Sequence, residues 1–306
     1  MIAYDVQDLT KVYPKQRRAA NDGVTLRIEA GEIFGLLGDN GAGKTTVVRQ
    51  LVGVLTPTSG SITLFGKDIL RGAHSLHVTT HVGYMPQEAR PLNNATVGEA
   101  LVWTARLRGL NRADAGREGE RLLEQFGLGS LRDTPSSRLS GGERRLMRLA
   151  VAMAGRPPVL ILDEPTNDLA PQRRRMVWEL LGEMNRERGT TILFITHDAI
   201  EAERAIQRVG IMRQGRLVAV GAPSALKQAI DRKVRLELFF DPVAPPRLPE
   251  GLEAHAVNPG RWLVTIDRAD VSAVLERLDL EQLEDFQLRS ATLEDLYLHF
   301  AAGDGV

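Results

Sequence analysis

A glycine-rich stretch at residues 38–45 constrains this chain more than any other feature of its sequence. It reads GDNGAGKT and fits the pattern G-x-x-x-x-G-K-[ST] at every fixed position. Residues 32–37 before it predict a buried strand, and residues 46–52 after it predict the first turns of a helix. In this context the glycines let several backbone N–H groups point at one anion, and the helix N-terminus adds its positive end. The sequence therefore predicts a phosphate-binding loop.

Two side chains of this loop have specific expected roles. Lys44 should meet the β- and γ-phosphates of a nucleotide, and the Thr45 hydroxyl should hold Mg²⁺. The alternative is a glycine-rich turn that happens to carry a lysine. Six of the 39 basic residues are lysines, so an arginine-biased chain has lysine where a compact ammonium is wanted. The loop residues that we expect to contact the nucleotide are Gly38, Asp39, Asn40, Gly41, Ala42, Gly43, Lys44, Thr45 and Thr46.

Composition narrows the class of protein. A length of 306 residues favours about two domains, and a hydrophobic content of 43% supports a folded core. The net charge of zero disfavours a basic nucleic-acid footprint, and the lack of cysteine excludes disulfides and thiolate chemistry. The N-terminus does not have the pattern of a signal peptide, and no apolar run approaches the roughly 20 residues of a membrane span. We therefore expect a soluble, cytoplasmic chain.

A second motif places two carboxylates after an apolar run. Residues 159–162 read VLIL and predict a central strand that ends at Asp163 and Glu164. Parallel α/β sheets bind ligands at the carboxyl edge of their strands. We expect Asp163 to hold Mg²⁺, through water, and Glu164 to polarise the water that attacks a γ-phosphate. A surface turn is the alternative, but two acids at the end of an apolar strand are costly unless they are used.

Three further residues lie where a nucleotide site could use them. Gln87 and His197 each follow a predicted strand. Gln87 could coordinate Mg²⁺ or the attacking water, and His197 could sense the γ-phosphate; ordinary surface or structural roles are the alternatives. Tyr13 lies in a polar loop, where it is either a partly buried anchor or a ring that stacks on adenine.

A third motif reads LSGGE at residues 139–143 and precedes an amphipathic helix. Ser140, Gly141 and Gly142 predict a helix start with a hydroxyl and free N–H groups, which is a second anion-binding surface. An ordinary N-cap with a glycine turn is the alternative. Residues 92–135, before this motif, predict a helical insertion, and residues 96–99 fit a capping box.

Taken together and in this order, the motifs resemble those of the ATP-binding cassette (ABC) transporter family. The resemblance covers about residues 3–230 and rests on the phosphate-binding loop, Gln87, residues 139–142, residues 160–164 and His197. It implies an α/β fold: a P-loop NTPase core of the ABC type with an antiparallel β subdomain and a helical subdomain at about residues 88–156. Residues 291–298, ATLEDLYL, resemble the tail of drug-export (multidrug) subunits.

The resemblance also implies a mechanism and partners. ATP and Mg²⁺ are the expected cofactors, Tyr13 stacks on adenine, and Glu164 is the catalytic base, with Gln87 and His197 assisting. Two cassettes pair head to tail, as a homodimer or with a paired homologous cassette, so that the loop of one and Ser140 of the other enclose the same ATP. This cycle drives a separate transmembrane permease from the cytoplasmic face of the membrane. Export is the expected direction, and no nucleic-acid partner is expected.

Some residues depart from the family pattern. Ala170 stands where the D-loop usually has aspartate, and we expect slower or loosely coupled hydrolysis with ATP binding intact. Glu143 and Asn167 echo the translation-factor branch of the family, which usually carries two cassettes per chain. Two alternatives therefore stay open: a soluble ABC ATPase that acts on ribosomes or DNA, and a nucleotide-dependent regulator with little turnover.

The C-terminal part of the chain has a different pattern. We predict a nucleotide-binding domain at residues 1–221, a linker at residues 222–233 and a small α+β domain at residues 234–306. Strands are predicted around Leu236, Val264 and Phe286, with further helices at residues 271–278 and 292–300. No catalytic constellation is visible there, so we expect a regulatory or dimer-stabilising role, with packing alone as the alternative.

Overall fold

The computed structural model describes residues 1–14, 16, 18–70, 75–87, 94–196, 205–230, 233–249 and 251–289. The chain divides into two compact units, Met1–Gly221 and Ala222–Val306. His197 and residues 291–300, for which roles or a helix are predicted above, lie outside the described residues.

The first unit begins with an antiparallel sheet. Its strands are β1 (Ile2–Lys11), β2 (Asn21–Glu29), β4 (Ser59–Leu64) and β5 (Lys67–Asp68), in the order β2-β1-β4-β5. Alternation of apolar and polar residues in β2, with Val24, Leu26 and Ile28 buried, puts one face of the sheet against the core. This is the antiparallel subdomain that the resemblance implied.

A second sheet forms the centre of the same unit. Its strands are β3 (Ile33–Leu37), β6 (Val82–Met85), β7 (Val159–Asp163), β8 (Thr191–Ile195), β9 (Arg208–Arg213) and β10 (Arg216–Gly221), in the order β10-β9-β3-β8-β7-β6. All neighbours are parallel except the hairpin of β9 and β10. Every residue of β3, β7 and β8 is buried, as continuous apolar runs require in a parallel sheet. The glycine-rich loop after β3, Gln87 after β6, and Asp163 with Glu164 at the end of β7 therefore lie at one carboxyl edge.

The described helices of this unit are α1 (Lys44–Leu51), α2 (Ser75–His81), α3 (Val97–Leu107), α4 (Arg112–Gln125), α5 (Gly141–Met153) and α6 (Pro171–Arg188), with short 3-10 turns at Gly129–Leu131 and Ser136–Arg138. The helices α3, α4 and α5 lie between β6 and β7 in the chain. Thr96 and Glu99 form the predicted capping box at the start of α3.

Two polar side chains, one buried and one half-buried, connect these elements. The hydroxyl of Tyr4 on β1 donates to the carbonyl oxygen of Leu51 at 3.1 Å, and burial raises the pKa of Tyr4. This bond joins the antiparallel sheet to the helix that follows the glycine-rich loop. Arg108 donates to the carbonyl oxygens of Ala152 at 2.8 Å and Val82 at 3.4 Å, and burial lowers its pKa to about 10. Arg108 therefore holds the end of α5 beside the start of β6.

The second unit is a small α+β fold. It contains α7 (Pro223–Ile230), β11 (Lys233–Phe239), β12 (Ala254–Asn258), β13 (Arg261–Asp267), α8 (Val271–Arg277) and β14 (Asp285–Arg289), with 3-10 turns at Arg268–Asp270 and Leu280–Gln282. The antiparallel sheet has the order β12-β13-β11-β14. Leu236, Leu238, Val264, Ile266 and Val274 lie in one apolar cluster of this unit. The three predicted strands and the helix at residues 271–278 are confirmed, and β12 is an additional strand.

Candidate active site

The glycine-rich loop has a backbone that few other sequences could adopt. Gly38, Gly41 and Gly43 all have positive φ, at 153°, 83° and 102°. A Cβ atom on Gly38 would lie 2.4 Å from the carbonyl oxygen of Met212, and one on Gly43 would lie 2.3 Å from that of Ala20. Both positions therefore require glycine for space as well as for conformation. Gly43 is the N-cap of α1, so the loop opens directly into a helix N-terminus.

Lys44 is buried at the start of α1, with 8% of its surface exposed. Its ammonium donates to the carbonyl oxygens of Gly38 and Asp39 within the same loop. Burial lowers the pKa of Lys44, against the opposing effect of the carboxylates of Asp163, Glu164 and Asp39. A desolvated ammonium whose direct partners are neutral carbonyl oxygens is well prepared to pair with a phosphate.

Two buried side-chain amides stabilise the glycine-rich loop through its backbone. Asn21 on β2 donates to the carbonyl oxygen of Gly43 at 3.1 Å, and Gln50 on α1 donates to Asn21 Oδ1 at 2.7 Å. Both side chains are fully buried. Neither role is predicted from the sequence, because both hydrogen bonds join segments more than 20 residues apart. They tie the antiparallel sheet to the anion-binding loop.

Tyr13 lies next to the same helix. Its hydroxyl is 3.5 Å from Thr46 Oγ1, and the ammonium of Lys11 is 5.7 Å from the centre of its ring. The ring is therefore a neighbour of the glycine-rich loop, as a residue that stacks on a base must be. Thr45 and Thr46 are half-buried at the start of α1.

Asp163 ends β7 and is almost fully buried, with 2% exposure. Burial raises the pKa of Asp163 to about 6; the carboxylate of Glu164 raises it further, while Lys44 and Arg49 oppose the shift. Its Oδ2 atom is buried and has no hydrogen-bond partner among the residues that the structure describes. Such an oxygen is costly unless a cation or a cation-bound water meets it. The donor set of Asp163, Thr45 and Gln87 consists of oxygen ligands, which Mg²⁺ prefers, so these residues fit the predicted ion.

Glu164 is held by bonds to both its backbone and its carboxylate. Its φ is 50°, and its N–H donates to the carbonyl oxygen of Ile195 at 2.8 Å. The carboxylate oxygen Oε2 accepts from Gln87 Nε2 at 3.0 Å and from Asn167 Nδ2 at 2.7 Å. The structure therefore brings together Glu164 and Gln87, which are 77 residues apart.

The turn after Glu164 is braced by the neighbouring helix. Arg145 on α5, with 13% of its side chain exposed, donates to the carbonyl oxygen of Glu164 and lies 3.3 Å from Asp168 Oδ2. Asp168 has a φ of 60° and is mostly exposed. Ala170 is the N-cap of α6 and supplies no side-chain hydrogen bond to the helix. Asp168 therefore pairs with Arg145, and α6 begins without a side-chain hydrogen bond from its N-cap residue.

Ser140 is the N-cap of α5, as predicted, and forms a capping box with Glu143. Its N–H and its hydroxyl both donate to Glu143 Oε2, at 2.9 and 2.6 Å. The hydrogen bonds from the Ser140 hydroxyl and then its N–H lower the pKa of Glu143. The Ser140 hydroxyl, which is predicted to bind an anion, and the Ser140 N–H therefore both donate to a carboxylate of the same helix. Gly141 is exposed beside them, and a Cβ on Gly142 would lie 3.3 Å from Arg173.

The fold and this edge of the sheet define a P-loop nucleotide-binding protein. A profile described as ABC transporter matches residues 21–167. The Nod factor export ATP-binding protein I of Paraburkholderia xenovorans is 40% identical over 281 residues, which cover 90% of each chain. The chain therefore belongs to the ABC transporter family, as an ATP-binding subunit with the ATPase activity of that class.

Other relatives are larger or more distant. The ATP-binding cassette sub-family A member 7 of Mus musculus is 34% identical over 98% of this chain, but the chain spans only 14% of that relative. A solved structure of the ATP-binding subunit of an ABC transporter superposes with a TM-score of 0.69 at 28% identity, covering 74% of this chain and 92% of the other. A dimeric bacterial ABC transporter cassette has a TM-score of 0.67 at 21% identity over 72% of this chain and 98% of its own, which supports the fold. In the described part of this chain, none of the helices combines the length and apolar composition needed to cross a membrane.

Proposed function

We propose that this chain hydrolyses ATP at the carboxyl edge of the central sheet and thereby powers export through a separate transmembrane permease. The observation that carries the proposal is the bond from Gln87 to Glu164, near two buried charged side chains, Asp163 and Lys44. ATP phosphates bind the loop at residues 38–46, and Tyr13 stacks on adenine. Glu164 accepts the proton of the attacking water.

The residues that would hold Mg²⁺ are Thr45, Gln87 and Asp163. Bound there, Mg²⁺ supplies positive charge that offsets the charge developing on the phosphates. Lys44 contributes a second positive charge from the loop itself. His197 is proposed to help position the water, and this role rests on the sequence pattern alone.

We infer that two cassettes, as a homodimer or with a paired homologue, form each complete site. Ser140, Gly141 and Gly142 of one chain then contact the ATP held by the loop of the other. The inference is supported by two anion-binding surfaces on one chain, at α1 and α5, each with its own helix N-terminus. ATP then holds the pair together, and hydrolysis releases it to drive the permease.

Export is supported by the name of the Paraburkholderia relative, a Nod factor export protein. Another relative is named a phospholipid-transporting ATPase of Homo sapiens. The narrower drug-export type rests on residues 291–298. The chain is proposed to bind the permease on the cytoplasmic face of the membrane, and residues 1–221 are proposed as the nucleotide-binding domain. Residues 222–233 are proposed as the connection to a regulatory or dimer-stabilising domain at residues 234–306.

The test is ATPase activity of the full chain with Glu164→Gln. We expect kcat to fall at least about 100-fold, as loss of a general base requires, while ATP binding is retained. Glu183→Gln on the exposed side of α6 is the matched control and should keep full activity. Turnover should also stop when the divalent cation is chelated. Retained turnover in Glu164→Gln would remove this carboxylate from the mechanism.

The partner is tested by capture from membranes of the source cell. A multi-span membrane protein that copurifies with the chain supports the transporter assignment. Ribosomal proteins or rRNA would instead support a soluble ATPase, the competing class that Glu143 and Asn167 keep open. A regulator with little turnover, which Ala170 favours, would show ATP binding without a rate that depends on Glu164.

A further inference from the structure

Asn167 contacts the carboxylate on which the proposed chemistry depends. Its Nδ2 atom donates to Glu164 Oε2 at 2.7 Å, the shorter of the two amide bonds to that oxygen. The other comes from Gln87 Nε2 at 3.0 Å. The two amides form a clamp on a single carboxylate oxygen, which we call the amide clamp.

The two members of the amide clamp are attached differently. Gln87 follows β6, at the point where the chain leaves the central sheet for the helical insertion. Asn167 lies three residues after Glu164 on the turn between β7 and α6. A bond within one short turn survives movements between larger segments, whereas a bond between segments depends on their relative position. Asn167 is therefore the clamp member whose position relative to Glu164 does not depend on the helical insertion.

The backbone of that turn is already fixed on both sides of Glu164. Its N–H is bonded to Ile195 on β8, and its carbonyl oxygen accepts from Arg145 on α5. What these bonds leave undetermined is the rotation of the carboxylate about its own side-chain torsions. A charge-assisted hydrogen bond from Asn167 removes much of that freedom. Small errors in the orientation of a reacting group cost catalysis steeply.

We propose that Asn167 is a positioning residue for ATP hydrolysis: its amide fixes the orientation of the Glu164 carboxylate towards the attacking water. This rests on the proposed function, in which Glu164 is the base. Asn167 does not touch ATP in this account. Its removal therefore changes the rate of the chemical step and leaves nucleotide affinity unchanged.

The first experiment compares Asn167→Asp and Asn167→Ala in the full chain. Asn167→Asp keeps the shape but replaces the donor with an acceptor, and Asn167→Ala removes the group. Both should lower kcat about tenfold or more, with KM for ATP and the fluorescence-measured affinity for ATP within about twofold. Asn167→Gln keeps an amide donor and should recover part of the loss. Asn258→Asp, the same change at an exposed position on β12, is the matched control.

The second experiment repeats Asn167→Asp and Asn167→Ala in a Glu164→Gln background by single-turnover kinetics. A residue that acts only through the Glu164 carboxylate should cause little further loss there, so the two effects are non-additive. An equal loss in both backgrounds, or a loss of ATP affinity, would overturn the proposal in favour of a structural role. Melting temperatures show whether each variant is folded, and Asn167→Ala replaces Asn167→Asp if the added charge destabilises the turn.

The two hypotheses fail in different ways. If Glu164→Gln retains turnover, the proposed function fails and the amide clamp fails with it. If Glu164→Gln is inactive but both Asn167 variants keep kcat within about twofold of the parent, only the positioning role is overturned.

Discussion

At the scale of single residues, the site combines charged groups that the folded chain desolvates. Asp163 carries a pKa raised from 3.8 to about 6, chiefly because it is buried. Because the folded chain holds this proton to a higher pH than the unfolded chain, the free energy of unfolding falls as pH rises from about 4 to about 6. Above that window the ionised carboxylate destabilises the chain unless a cation compensates its charge. A site of this kind gives up stability to keep a ligand oxygen in place.

The change Asp163→Asn tests that cost. Without nucleotide and with divalent cations chelated, it should raise the melting temperature by a few degrees at about pH 8. The difference should shrink towards about pH 4, where Asp163 is protonated in the parent chain. Calorimetry across this range is the measurement, with Asp133→Asn at an exposed position as the control. A variant less stable than the parent at high pH would contradict the raised pKa.

Ala170 is the second residue with a testable effect. The sequence predicts slow or loosely coupled hydrolysis because this position lacks a carboxylate, and Asp168 pairs with Arg145 rather than capping α6. Ala170→Asp should therefore raise kcat several-fold and tighten its coupling to transport.

The helix cap that Ala170→Asp also creates needs a separate control. Ala170→Ser supplies an N-cap hydroxyl without the charge and should stabilise the chain by about 1 kcal/mol with no change in rate. Identical ATPase rate and transport coupling in Ala170→Asp and the parent would refute the hypothesis.

At the scale of elements, α3 and α5 both begin with a capping box, but only the box of α5 lies at a predicted anion-binding surface. Thr96 with Glu99 and Ser140 with Glu143 both form capping boxes. In α5 the box engages the hydroxyl and N–H that the proposed dimer offers to a phosphate. In the proposed dimer, the carboxylate of Glu143 would therefore compete with ATP for these donors and repel its charge.

We expect Glu143→Gln to lower the ATP concentration needed for association of two chains. The glutamine oxygen can still accept both bonds of the box, so α5 keeps its cap while the negative charge is lost. Light scattering of ATP titrations, done in the Glu164→Gln background to block turnover, measures the effect. Glu99→Gln makes the same change in the other capping box and should leave the midpoint where it was. A midpoint that Glu143→Gln leaves unchanged or raises would contradict the competition.

The elements also show what could be predicted from the sequence. Continuous apolar runs predict β3, β7 and β8, and alternation of apolar and polar residues predicts β2, because each pattern follows directly from which side chains are buried. The strand β12 reads AHAVN and is mostly exposed, so it carries no such pattern. The sequence predicts no role in the site for Asn21, Arg145 or Asn167. Their roles come from contacts across the fold, as for Asn21 and Arg145, or from the shape of one turn, as for Asn167.

At the scale of the whole molecule, the chain has two predicted anion-binding surfaces. In the proposed dimer they belong to two different nucleotide sites. The glycine-rich loop ends at α1, and Ser140 opens α5. Each surface supplies N–H donors at a helix N-terminus. In the proposed dimer, head-to-tail pairing of two chains would complete both nucleotide sites at once and convert ATP binding into association.

The most direct measurement is the molar mass of the full-length Glu164→Gln chain with and without ATP, at high protein concentration. Blocked hydrolysis should give a dimer with ATP and a monomer without it, and Ser140→Ala in the same background should weaken the dimer while each chain still binds ATP. A Glu164→Gln chain that is loaded with ATP yet stays monomeric, with its membrane partner supplied, would contradict the account.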